Sequence, residues 1–133
     1  MEEKIKALIK NYISGPYQKY FELDLRKVAE EMQILPLMVD SGGCFALSTT
    51  GEIVSFGECN YRDLRIESDP KTIRTALYQG SLWFSEIKEM IPARPEEAID
   101  CKDCETFNKK HNNFSDSFVC MCGGLGWLLP EEI

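Results

Sequence analysis

Apolar positions in the first third of the chain recur with helical spacing. Ile5, Leu8, Ile9, Tyr12 and Ile13 follow an i, i+3, i+4, i+7, i+8 pattern, which puts them on one face of a helix over residues 3–13. Gly15-Pro16 ends that helix, because proline cannot donate to the next turn and restricts the residue before it. Tyr17, Tyr20 and Phe21 then share a stripe, and Leu25, Val28, Ala29 and Met32 form another behind Asp24, an expected N-cap. The pattern predicts two helices, or one broken near Glu22 to Asp24, with the aromatic stripe in the core.

From Leu35 the period shortens. Leu37–Val39, Cys44–Leu47 and Ile53–Phe56 are short apolar runs, separated by the turn signals Asp40-Ser41-Gly42-Gly43 and Thr49-Thr50-Gly51-Glu52. They predict a meander of antiparallel strands, with Phe45 and Leu47 on one face and Cys44, Ala46 and Ser48 on the other. The first turn lacks the lysine and following helix of a phosphate-binding loop, so it is read as a turn. Asp69 and Pro70 open a third helix that carries Ile73, Ala76 and Leu77 on one face and ends near Gly80. Leu82, Trp83 and Phe84 are expected to pack inside, and Ser85 to cap a short helix with Ile87 and Met90 inward. Pro92-Ala93-Arg94-Pro95 breaks that helix, and residues 91–94 read as a hinge.

The expected fold class is α+β: N-terminal helices, a central antiparallel β-sheet meander, further helices and a C-terminal cysteine knuckle. The expected organisation is a core of residues 1–95 with a cysteine-containing tail, 96–133, packed on it as a single structural domain overall. A length of 133 residues and an apolar content of 44% suffice for one hydrophobic core, and no apolar run approaches the roughly 20 residues that cross a bilayer. The opening MEEKIKALIKNYISG is charged throughout, unlike a secretory signal, so a cytoplasmic location is expected.

That compartment bears on the six cysteines, since cytosolic thiols stay reduced and paired ones there mark metal or redox sites more often than disulfides. Cys44 and Cys59 stand alone and are read as small apolar side chains. The other four form two pairs, Cys101-x-x-Cys104 and Cys120-x-Cys122, with fifteen residues between them. Two close pairs can surround one zinc ion tetrahedrally, each on its own turn, and Gly123 and Gly124 can ease the shorter second pair. Four thiolates leave no open coordination position, so such a zinc would be structural. Packed reduced thiols and redox use are the alternatives. Trp127, Leu128 and Leu129 are expected to fold back onto the core.

The net charge of −7, from 22 acidic and 15 basic residues, repels phosphate backbones and favours basic protein partners. Nucleic acid is therefore an unlikely ligand by composition, and no membrane partner is expected. His111 is the single candidate for proton transfer near neutral pH or for a further metal ligand, and it lies in a hydrophilic Lys-Lys-His-Asn-Asn run with no orienting partner in view. Glu96-Glu97 reads as a solvated turn. No enzymatic activity is expected.

The span from Leu37 to Phe56, with its Gly-Gly turn, strand, Thr-Gly-Glu turn and return strand before a capped helix, resembles the SUKH superfamily of small α+β proteins over roughly residues 1–95. That resemblance implies an immunity-type inhibitor that neutralises a bacterial toxin by binding it. The tail is similar to the Cys-x-x-Cys-x-Gly-x-Gly units of J-domain co-chaperones, though it has two half-motifs where that region has four. Two functions follow as expectations. One is a non-enzymatic protein-binding domain that meets a basic toxin. The other is a zinc-ribbon adaptor contacting nucleic acid or unfolded protein through the tail, where Lys102, Lys109, Lys110 and His111 form a small basic cluster.

Overall fold

A computed structural model describes residues 1–15, 18–40, 43–101 and 125–132. The fold is α+β, and the chain divides into two units, Met1–Ser68 and Asp69–Ile133.

The first unit begins with helix α1 (Glu2–Ile13), which buries Ile5, Leu8, Ile9 and Tyr12 as their spacing requires. Glu2 and Glu3 sit in its first turn and Lys10 in its last, the arrangement that complements the helix dipole. The segment after Gly15 is not the helix its aromatic spacing predicts. Strands β1 (Lys19–Tyr20) and β2 (Leu23–Asp24) form a small hairpin, with Tyr20 opposite Leu23. Phe21 reverses the chain at φ 54°, in the left-handed region. Tyr20 is 4% exposed and Phe21 is 55% exposed, while Tyr17 lies outside the described residues. Helix α2 (Leu25–Met32) then starts on the expected cap, the Asp24 carboxylate accepting the Arg26 N–H at 3.0 Å, and buries Leu25, Val28 and Ala29.

Strands β3 (Ile34–Asp40), β4 (Gly43–Ser48), β5 (Ile53–Gly57) and β6 (Asn60–Ile66) form an antiparallel sheet in that order. Helices α1 and α2 pack on each other and against β3. Leu35, Leu47 and Ile53 line up across one face, and Val39, Cys44 and Phe56 across the other, as the alternation of β4 predicts. The β4–β5 turn places Gly51 at φ 90°, a conformation that costs side-chain-bearing residues strain. The turn closes with the Ser48 N–H donating to the Glu52 carbonyl at 2.8 Å. Strand β6 was not expected, because most of its residues are polar and exposed and its register with β5 is broken after Ser55.

The second unit opens with helix α3 (Pro70–Ser81). Asp69 caps it, its carboxylate accepting the Thr72 N–H at 3.3 Å and the Thr72 hydroxyl at 2.8 Å. Ala76 and Leu77 are buried, and so are Arg74, Thr75, Gln79 and Ser81, whereas Ile73 is half-buried. A 3-10 turn over Ser85–Met90 buries Ile87; its N-cap is Phe84, with no side-chain cap, where Ser85 was expected. Leu82 and Trp83 do not pack inside: the chain leaves α3 with both N–H groups bonded back to Gln79 and Gly80, which leaves their side chains 47% and 60% exposed. Strands β7 (Ile99–Asp100) and β8 (Trp127–Leu128) pair antiparallel, and Trp127 and Leu128 are buried, with Leu129 half-buried. Among the described residues, no helix is long and apolar enough to cross a membrane.

Candidate functional site

The cysteine segment is entered and left through one short ladder. Ile99 pairs with Leu128 and Asp100 with Trp127, and the Cys101 N–H donates to the Gly126 carbonyl at 2.9 Å. The chain that leaves at Cys101 therefore returns beside it at Gly126. The base of this loop is fixed within its own unit: the Arg74 guanidinium of α3 lies over the Trp127 ring, 4.9 Å from its centre, and both residues are under 10% exposed. Arg94 braces the outgoing arm, ion-paired with Asp100 at 2.8 Å and donating to the Ala98 carbonyl at 3.3 Å.

Of the four cysteines proposed as zinc ligands, Cys101 is described and is 4% exposed; Cys104, Cys120 and Cys122 lie outside the described residues. His111, Lys102, Lys109 and Lys110 lie outside them too. Among the described residues, no group of three or more His, Cys, Asp or Glu side chains is placed to hold a metal ion. The ladder sets Cys101 beside Gly126, the two described residues that bracket the other three cysteines in sequence.

The lone cysteines differ from one another. Cys44 is fully buried on the sheet face that also carries Phe56, and burial, with Asp40 nearby, pushes its thiol up to about 12. Cys59 is exposed in the tight turn between β5 and β6, not the buried apolar residue expected. Burial raises the Tyr12 hydroxyl well above its ordinary range, with Cys44 and Asp24 adding to the effect. Tyr12 donates that hydroxyl to Gln18 Oε1 at 2.8 Å.

Two surface features were missed by the sequence reading. At one, Tyr61 donates to Glu31 Oε2 at 2.5 Å and Arg62 Nε donates to Glu31 Oε1 at 2.8 Å, while the guanidinium covers the Tyr61 ring at 4.6 Å. These hydrogen bonds, that from Tyr61 first, hold the Glu31 carboxyl below its usual range. At the other, the exposed Phe21 ring stacks edge-on against Tyr20 with centroids 4.9 Å apart, and Tyr20 stacks edge-on against Phe56 at 6.2 Å. No sequence signal marked Phe21 as exposed, since a left-handed phenylalanine leaves no trace in hydrophobic spacing. Set against protein-family models, curated proteins and solved structures, the chain matches none of them.

Proposed function

We propose that the chain is a non-enzymatic protein-binding domain of the immunity type, which inhibits a basic toxin by occupying its surface. The observation that carries this reading is the exposure of large aromatic side chains at two turns, Phe21 at 55% and Trp83 at 60%, in a chain of net charge −7. Aromatic side chains of this kind are the usual anchors of protein interfaces, and a negative surface speeds encounter with a positive partner. The resemblance of residues 1–95 to immunity-type proteins supports the same reading.

The test is capture of partners from the source cell, followed by reconstitution with the purified partner and titration calorimetry at low and high salt. A basic partner whose affinity falls as salt rises is the expected result. A partner bound with no salt dependence removes the electrostatic mechanism, and recovery of no protein partner removes the function.

A second reading, a zinc-ribbon adaptor acting through the tail, is favoured by the Cys101 to Gly126 closure. Cys101, Cys104, Cys120 and Cys122 would supply the ligands, and zinc would fix the loop between the two pairs. Native mass spectrometry of protein purified without chelator should then find one zinc per chain in the wild type and in Cys44→Ala, and none in Cys104→Ser. Metal-free wild type ends this reading.

A further inference from the structure

The meander gathers unlike groups at one end of its sheet. The β3–β4 turn starts at Asp40 and the β5–β6 turn contains Glu58, and in an antiparallel meander these two turns lie at the same end. The residues one step in from those turns, Val39, Cys44 and Phe56, share a cross-strand row. Tyr20 packs against Phe56, which brings the β1–β2 hairpin, with Phe21 and Glu22 at its tip, to this end as well. Phe21 and Val39 are the exposed large apolar residues here, at 55% and 40%.

We infer that this end of the sheet docks a lysine- or arginine-bearing segment of a partner protein, with Phe21 as the anchor and Glu22, Asp40 and Glu58 as its acidic surround. The inference rests on the protein-binding reading and names the site for it. Three arguments lead to this occupant. First, the Phe21 ring is braced: it stands on Tyr20, which is buried and stands on Phe56, so ordering it at an interface costs little further side-chain entropy. Second, the carboxylates of Glu22, Asp40 and Glu58 come from three separate segments at the same end of the sheet as Phe21, and a cation facing a ring with carboxylates about it gains from both. The Tyr20 hydroxyl registers the same field, pushed up by burial first and then by Cys44, Glu58 and Asp40. Third, Lys19 is the hairpin's own base and is set across the ladder from Asp24, so the tip itself carries only Phe21 and Glu22.

The test is an NMR titration of the full chain with two synthetic peptides, one alternating arginine and glycine and one alternating glutamate and glycine. The arginine peptide should shift the amides of Tyr20–Glu22, Asp40 and Glu58–Asn60, and the glutamate peptide should shift none. Phe21→Asn, which suits the left-handed backbone and leaves the fold in place, and Glu58→Lys should each weaken the arginine peptide by at least about fivefold. Leu82→Ser, in the other unit, should leave binding unchanged. Arginine-peptide shifts that map elsewhere, or affinities indifferent to Phe21→Asn and Glu58→Lys, overturn the site while leaving the protein-binding reading standing. No shifts with the arginine peptide overturn the site as well; the binding reading itself fails only if partner capture fails.

Discussion

The Arg74 guanidinium lies 4.9 Å from the centre of the Trp127 ring, and this contact ties helix α3 to the strand that closes the cysteine loop. Both residues are nearly excluded from water, at 4% and 7% exposure, so the attraction of cation for ring is little screened.

A double-mutant cycle measures it. Trp127→Leu alone should destabilise the chain by about 1–3 kcal/mol through lost packing. Arg74→Met keeps most of the apolar stem and loses the charge. The coupling between the two substitutions should come to about 1–2 kcal/mol by chemical denaturation. A coupling near zero would mean that the ring and the guanidinium are neighbours without being energetic partners.

How far this architecture could be read from sequence varies with the physics of each element. Helices α1 and α3 were legible because their boundaries carry side-chain chemistry, Gly15 after the one and Asp69-Pro70 before the other, and their apolar spacing has one interpretation. The β4 alternation was legible for the same reason. The hairpin at Lys19–Asp24 was not, since the same aromatic spacing fits a helix and nothing forbids Phe21 from α-helical angles; its left-handed φ of 54° is imposed by what surrounds it. Strand β6 escaped notice because its side chains are mostly exposed and polar, leaving no alternation to detect. The sequence leads one to expect Trp127, Leu128 and Leu129 to fold back onto the core, and Trp127 and Leu128 are buried, but the pairing with Ile99 and Asp100 depends on a contact across 27 positions of sequence from Asp100 to Trp127 that no local pattern encodes.

The cysteines give a second prediction. A thiol pushed up to about 12 inside the sheet holds almost no thiolate near neutral pH, whereas Cys59 is open to solvent. A brief iodoacetamide pulse at pH 8 should label Cys59 in the native state and leave Cys44 unlabelled until denaturant is added. Labelling of Cys44 on the same time scale as Cys59 would require the sheet to open locally.

At the β4–β5 turn, Gly51 occupies φ 90° and its N–H donates to the Ser48 carbonyl at 3.0 Å. Gly51→Ala should destabilise by about 1 kcal/mol, because the added Cβ strains the backbone even though the turn's side-chain bonds among Ser48, Thr50 and Glu52 remain. Gly57, with extended backbone and open space around its Cα, is the control: Gly57→Ala should cost less than half as much.

Alkaline pH provides the last test, and its sign follows from the buried acids. The Cys44 thiol and the Tyr12 hydroxyl both lose their protons less readily in the folded chain than in the unfolded one, chiefly because burial disfavours the anion. The unfolded chain therefore releases these protons first. The stability they contribute is complete below the unfolded thiol range, near pH 8.5, and is lost as pH rises towards the folded values. Between about pH 9 and pH 11 each group that has ionised only in the unfolded state lowers stability by about 1.4 kcal/mol per pH unit. Cys44→Ala removes one of the two. Its unfolding free energy, followed by urea titration at each half unit of pH, should therefore fall less steeply than wild type from about pH 9. Tyr12→Phe should flatten the curve only above about pH 10, where an unfolded tyrosine begins to ionise. Identical alkaline slopes in wild type and Cys44→Ala would show that the thiol ionises as easily in the sheet as in water, which its full burial beside Phe56 contradicts.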